Sequence, residues 1–279
     1  MTDGDKMLTL KDNLLIFTDL DGSLLDHDSY SWQAAQPWLG RLSAARIPLI
    51  IASSKTAAEI AILQQRLGLS AFPFIAENGA QIVFPPGWRQ PARIFGADYA
   101  AIVNALHRLH ASFAFRGFAD ADDATVAQWC GFTPQEARLA RQRAGSEPLC
   151  WLDDQQQLAH FRHALAQQRL TLTRGGRFYH VMGRGVSKGR AARWLIRYYQ
   201  RRHQRPFTTL ALGDGPNDLP LLQSADYAVL IRALRSEPLP LPATRRGRLY
   251  RSRQTGPAGW SEGLDHFLLP GKARRIAHE

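Results

Sequence analysis

Two carboxylates stand two residues apart in Phe17-Thr-Asp-Leu-Asp-Gly-Ser23: Asp19 and Asp21, with Gly22 and Ser23 directly behind them. They follow an apolar run, Leu14-Leu15-Ile16-Phe17, that reads as a buried strand. In an open parallel sheet, ligands bind beyond the carboxyl ends of the strands. A glycine there permits a turn and lets backbone N–H groups come close to a ligand. Two carboxylates held this near repel unless a cation neutralises them or one carries a proton. A hard divalent ion such as Mg²⁺, which takes carboxylate and carbonyl oxygens, would meet that need. On this motif alone, a solvated Asp-Gly turn is an equal reading.

A second acidic cluster closes another apolar strand. Asp214, Gly215, Asn217 and Asp218 follow Thr208–Leu212. Asn217 or Asp218 can cap a helix there, and capping is compatible with holding a metal. Two such strand ends favour a metal site over two independent turns. An octahedral Mg²⁺ with few protein ligands keeps waters and accepts a phosphate oxygen. Ser53 follows the apolar stretch Pro48–Ala52, where a hydroxyl and the N–H groups of the next helix can take an anion. Lys188 opens a helix, where a cation opposes the macrodipole. Only five of the 35 basic residues are lysines, so this ammonium stands out against an arginine background. Lys188 reads either as a partner for phosphate or as a solvated surface group. Lys55 is equally ambiguous.

These residues need elements to position them. The first third alternates strand and helix: Leu14–Thr18, a helix over Gln33–Ala45, Pro48–Ala52, then a helix from the capping box Thr56–Glu59 to about Leu67. Short strands flank Glu77-Asn-Gly-Ala80. After Pro85-Pro86-Gly87 the rhythm changes. A helix starts near Asp98, 112–118 (SFAFRGF) reads as a strand, and Thr133-Pro134-Gln135-Glu136 is a second capping box. The stretch 149–152 (LCWL) is a strand candidate, Asp154–Gln168 a helix, and Gly175-Gly176 the turn of a hairpin. From Gly185 the α/β pattern returns, with Ala192, Leu195, Ile196 and Tyr199 on one helical stripe. The segment after Glu237 reads as a loop, followed by an amphipathic element around Trp260–Leu269. The expected architecture is an α/β core with a parallel sheet, built from 1–84 and 185–279, with an α+β cap inserted at 85–184.

Composition narrows the class. The chain has 279 residues, 45% of them hydrophobic, and no apolar run near membrane-spanning length. The polar N-terminus is no secretory signal, so a cytoplasmic protein is expected. Cys130 and Cys150 form no metal or disulfide pattern. The net charge of +11 is spread over 174–177 (RGGR), 197–205, 245–253 and 272–275 rather than gathered in a nucleic-acid motif. An anionic small substrate is the expected partner, and neither nucleic acid nor membrane is. An arginine-rich nucleic-acid binder with a vestigial site is the non-enzyme alternative. Oligomeric state is not legible.

In this order, Asp19-Leu-Asp-Gly-Ser23, Ser53, Lys188 and Gly213-Asp-Gly-Pro-Asn-Asp218 resemble the four motifs of the haloacid dehalogenase-like phosphatases. The inserted segment is similar to the C2-type cap of the Cof-like branch. Three stretches, 75–85 (IAENGAQIVFP), 136–149 (EARLARQRAGSEPL) and 175–189 (GGRFYHVMGRGVSKG), resemble mannosyl-3-phosphoglycerate phosphatases. Ser23 stands where threonine is common in that family, and Leu149 where phenylalanine is frequent. The resemblance implies a Rossmann-like core and an Asp19 nucleophile. It implies that Asp21 is the general acid and base. Mg²⁺ would be held by Asp19, the carbonyl of Asp21, Asp214 and Asp218, with Ser53, Lys188 and backbone near Gly22 holding phosphate and Asn217 beside them. In the cap, Ser146 and Glu147 would bind sugar hydroxyls, and Arg177 and His180 the rest of a phosphorylated sugar or sugar acid. A phosphomannomutase-like transferase or a general sugar-phosphate phosphatase is the enzyme alternative.

Overall fold

The computed structural model describes residues 8–175, 177–233 and 248–269. Gly176 of the hairpin turn, the segment from Glu237 to Gly247 and the basic stretch 272–275 lie outside the described residues. The chain divides into two compact units, 1–52 with 192–279, and 53–191.

The chain opens with β1 (Leu14–Thr18), α1 (Gln36–Ala44) and β2 (Leu49–Ile51). Within 53–191 it forms α2 (Ala57–Arg66), β3 (Phe74–Ala76), β4 (Gln81–Val83), β5 (Arg93–Ile94), α3 (Tyr99–Leu109), β6 (Phe115–Gly117), α4 (Asp123–Cys130), α5 (Pro134–Ala140), β7 (Ser146–Trp151), α6 (Gln155–Gln167), β8 (Leu170–Gly175) and β9 (Phe178–Gly183). Then α7 (Lys188–His203) leads back to β10 (Thr208–Gly213), α8 (Leu219–Ser224), β11 (Tyr227–Arg232), β12 (Leu249–Thr255) and α9 (Gly256–Leu268). The fold is α/β, with a parallel sheet in the first unit and antiparallel sheets in the second.

In the first unit five parallel strands lie in the order β12-β11-β10-β1-β2. Every residue of β1 is buried, as a strand covered on both faces requires. Thr18 pairs with Leu212 on one side and Ile51 on the other, so the strand ends that precede Asp19 and Asp214 are level. Helix α9 braces that end. Trp260 is fully buried, and its indole N–H donates to Thr18 Oγ1 at 2.9 Å. Thr18 Oγ1 in turn donates to the carbonyl of Asp19 at 2.6 Å. Gly263 permits the packing, because a Cβ there would stand 2.4 Å from Val229 Cγ1.

In the second unit β3-β4-β5 form one antiparallel sheet and β6-β7-β9-β8 another. Ile102 and Leu106 of α3 and Leu158, Phe161 and Leu165 of α6 pack with Leu149 and Val181 of the four-stranded sheet. Val126 and Cys130 of α4 and Ala137 and Ala140 of α5 pack with Phe118 and Phe178.

Several elements depart from the sequence expectation. β7 begins at Ser146 rather than Leu149. Proline argues against an inner strand, yet Pro148 needs only its carbonyl here, which accepts from Phe118 N at 3.1 Å. The C-terminal helix starts at Gly256, earlier than the apolar pattern suggests. The edge strand β12 has mostly exposed or half-buried residues, so it carries no apolar run. Helices α4 and α8 and the two-residue β5 are equally absent from the sequence reading. Deleting the brace predicts a large loss: Trp260→Ala should lower stability by about 3–5 kcal/mol, read as a drop in the urea midpoint.

Candidate active site

The first unit gathers three of the acidic residues. Asp19, Asp214 and Asp218 each offer a carboxylate oxygen within 4.8 Å of the others. Asp19 and Asp218 are buried and Asp214 half-buried. The backbone makes this possible. Gly22 has φ +79°, and a Cβ there would sit 2.6 Å from Asp214 Oδ2, so only glycine fits both the turn and the approach. Gly22 N donates to Leu25 O at 2.9 Å and Leu25 N to Leu20 O at 2.8 Å, the second bond closing a tight loop that carries Asp21. Ser23 Oγ donates to Asp214 Oδ1 at 3.4 Å. Asp218 Oδ2 accepts the N–H groups of Asp214 at 3.2 Å and Gly215 at 3.0 Å, which aims its carboxylate. The side chain of Asp21 is not part of the triad.

An all-oxygen set of three close carboxylates fits a hard divalent cation such as Mg²⁺. The positive charge offsets the repulsion that the geometry otherwise imposes. Asn217 is half-buried on the same turn. Ala52, the residue before Ser53, donates its amide to Thr18 O at 2.8 Å, so β2 ends level with Asp19's strand.

The second unit holds Ser53 and Lys188. Ser53 is 1% exposed, its N–H bonds Ile75 O at 3.0 Å, and its carbonyl accepts from Asn78 N at 2.9 Å. Lys188 is 0% exposed, which excludes the solvated surface reading. Ser187 caps its helix, with Oγ accepting from Arg190 N at 3.2 Å. Gly79 lies against that cap: a Cβ would stand 2.2 Å from Ser187 O and 2.8 Å from Lys188 N. The turn 77–79 therefore contacts both the Ser53 segment and the start of the Lys188 helix. Lys55 is buried too, with its ammonium 5.8 Å from the centre of the Phe132 ring.

The cap candidates separate by strand alternation, since neighbours in a strand point to opposite faces. Ser146 pairs with Met182, Glu147 with Val181 and Pro148 with His180. Ser146 and His180 therefore share one face and Glu147 has the other. His180 is 5% exposed, and its Nδ1 has no hydrogen-bond partner. Burial, with the charges of Arg143 and Lys188, pushes its pKa down to about 3, so it stays neutral. Arg143 donates Nη1 to Ser146 Oγ at 3.3 Å and to Ser54 O at 3.1 Å. Sequence reasoning missed this arginine, because one more guanidinium carries little signal in so arginine-rich a chain. Arg177 is exposed and donates to Cys130 O. Glu147 is fully buried and accepts from Tyr99 Oη at 2.9 Å and Ala119 N at 2.7 Å.

A sequence model of the haloacid dehalogenase-like hydrolases matches residues 16–120 and 148–234. The chain belongs to that family. Its fold is similar to BT1666 from Bacteroides thetaiotaomicron, a phosphatase of the haloalkanoate (HAD) superfamily, at 18% identity and TM-score 0.68, covering 96% of this chain and 99% of that one. It is also similar to the sucrose-phosphatase of Synechocystis, at 19% identity and TM-score 0.59, covering 92% and 98%. A third similar structure is protein 0175 of Thermoplasma acidophilum, at 17% identity and TM-score 0.66, covering 92% and 98%. Among the described residues, no helix is long and apolar enough to cross a membrane.

Desolvation pushes the Glu147 carboxyl up from 4.5 to about 7, partly offset by the Ala119 and Tyr99 hydrogen bonds. A raised acid pKa means the folded state holds the proton longer, so Glu147 costs stability as pH rises through that window. Glu147→Gln should gain on the order of 3 kcal/mol relative to wild type between pH 4 and pH 8. Urea midpoints across that range measure it.

Proposed function

We propose that the chain is a Mg²⁺-dependent phosphomonoesterase of phosphorylated sugar acids, with 2-O-mannosyl-3-phosphoglycerate as its substrate and residues 85–184 acting as the cap. The observation that carries the reading is the carboxylate triad Asp19, Asp214 and Asp218, set beyond the ends of parallel strands. Asp19, Asp214, Asp218 and the carbonyl of Asp21 would hold Mg²⁺, which when bound supplies positive charge for the phosphoryl oxygens.

In this reading the Asp19 carboxylate attacks phosphorus in line. The bond from phosphorus to the leaving oxygen breaks as Asp21 donates a proton to that oxygen. Asp21, now a carboxylate, takes a proton from water, and the water oxygen attacks phosphorus. The bond to Asp19 breaks, releasing phosphate and restoring both aspartates. The Lys188 ammonium offsets charge on the phosphoryl oxygens. Ser53 and the amides near Gly22 donate hydrogen bonds to them, with Asn217 at the rim.

The rest of the substrate falls to the cap. Ser146 and the bare Nδ1 of His180 share a face, where Nδ1 suits a sugar hydroxyl as donor. Arg143 on that face suits a carboxylate. Glu147 contributes from the opposite face by fixing Tyr99 and Ala119. Arg177 binds substrate only by leaving the Cys130 carbonyl. The sugar-acid class is supported by the three stretches that resemble mannosyl-3-phosphoglycerate phosphatases. The sucrose-phosphatase likeness, in complex with sucrose and phosphate, is compatible with a sugar leaving group.

Free phosphate should be released from mannosyl-3-phosphoglycerate faster than from other phosphorylated sugars and glycerates in the presence of Mg²⁺. Phosphate returned to the sugar instead would mark a mutase, and even, weak rates across the panel would remove the substrate assignment. Asp19→Asn should cut kcat by about a thousandfold or more with the melting temperature retained. Asp214→Ala should raise the Mg²⁺ concentration for half-maximal activity by about tenfold or more.

A further inference from the structure

Glu77 lies outside every role assigned above, yet it is among the most enclosed charged groups described. Its side chain is 0% exposed. One carboxylate oxygen accepts Ala144 N at 2.7 Å, and the other accepts Gly145 N at 3.2 Å and Ser146 Oγ at 2.7 Å. Its own N–H donates to Lys55 O at 2.9 Å. The backbone around it is left-handed for three residues in a row: Glu77 at φ +51°, Asn78 at +55° and Gly79 at +100°. Such a conformation in two non-glycine residues costs on the order of 1 kcal/mol each and persists only where the surroundings enforce it.

We propose that Glu77 is the positioning residue for leaving-group recognition: it ties the 144–146 segment, and with it Arg143 and Ser146, to the turn that supports Ser53 and Lys188. The inference rests on the phosphatase reading and extends it to a residue that touches no substrate. A carboxylate suits the post because it only accepts, and the segment presents three donors to it. The turn cannot be displaced cheaply, since Gly79 meets Ser187 and Lys188 backbone and Asn78 N is held by Ser53 O. Gly145 packs close as well, a Cβ there being 3.0 Å from Ala80 Cβ. Arg143 then inherits its placement through Ser146 Oγ and Ser54 O.

Glutamine has nearly the same shape but only one acceptor oxygen. In Glu77→Gln, its amide must face a backbone N–H, either of Ala144 or of Gly145. That opposition should shift the 144–146 segment while leaving Asp19 and the metal ligands untouched.

The test compares two substrates in wild type, Glu77→Gln and Glu77→Asp: p-nitrophenyl phosphate, and whichever phosphorylated sugar or sugar acid the wild type turns over fastest. In Glu77→Gln, KM for the sugar substrate should rise about tenfold or more, while its kcat and both constants for p-nitrophenyl phosphate stay within about threefold. Glu77→Asp keeps both acceptors and should fall between. Equal losses on both substrates, an unchanged KM, or failure of both variants to fold would overturn the role. A wild type that prefers a different sugar phosphate corrects the substrate named above and leaves the comparison intact. A wild type that hydrolyses no phosphate ester overturns both.

Discussion

Three carboxylates in a largely buried corner are an electrostatic liability, and the first unit is organised around tolerating it. Strands β1 and β10 contain no charged residue of their own. Instead the loops keep the carboxylates in register. Asp218 is aimed by two backbone N–H groups. Asp214 is approached by a glycine that could not carry a side chain. The geometry is thus set largely by backbone hydrogen bonds and close backbone approach. Carboxylates this close repel one another, and a small, hard, divalent ion is the charge that such an all-oxygen set fits.

The second unit solves a different problem with the same economy. A lysine with no exposed surface and a buried glutamate have to be held without an apolar penalty large enough to unfold the unit. Glu77 is surrounded by donors, and the turn it belongs to spends three left-handed residues to put those donors within reach. The face of the four-stranded sheet that bears Ser146 and His180 also carries Phe178, which packs with Phe118, and the opposite face is given over to packing apart from Glu147.

The acidic residues were legible from sequence because the pattern is local: an apolar run, then aspartates and a glycine. Lys188 was legible by contrast with the arginines around it, and its complete burial agrees with that contrast. The two capping boxes, at Thr56 and Thr133, form as their residues imply. What sequence could not supply was facing. Ser146 and Glu147 are adjacent, and only the register of β7 against β9 separates them. Nor could it weigh Glu77, whose meaning depends on a segment 67 to 69 residues away. β12 escaped notice for a physical reason: an edge strand with one fully buried residue has no hydrophobic period to read.

The indole of Trp260 meets Thr18 across 242 residues of chain. The strand that carries the first aspartate pairs with β10, which is also made late. During synthesis, the Asp19 loop therefore emerges long before the elements that pair with and brace it. Contacts of such sequence separation slow folding, because the intervening chain must be ordered first. Until α9 has been made, the loop that carries Asp19 lacks the brace that Trp260 gives to the end of its strand.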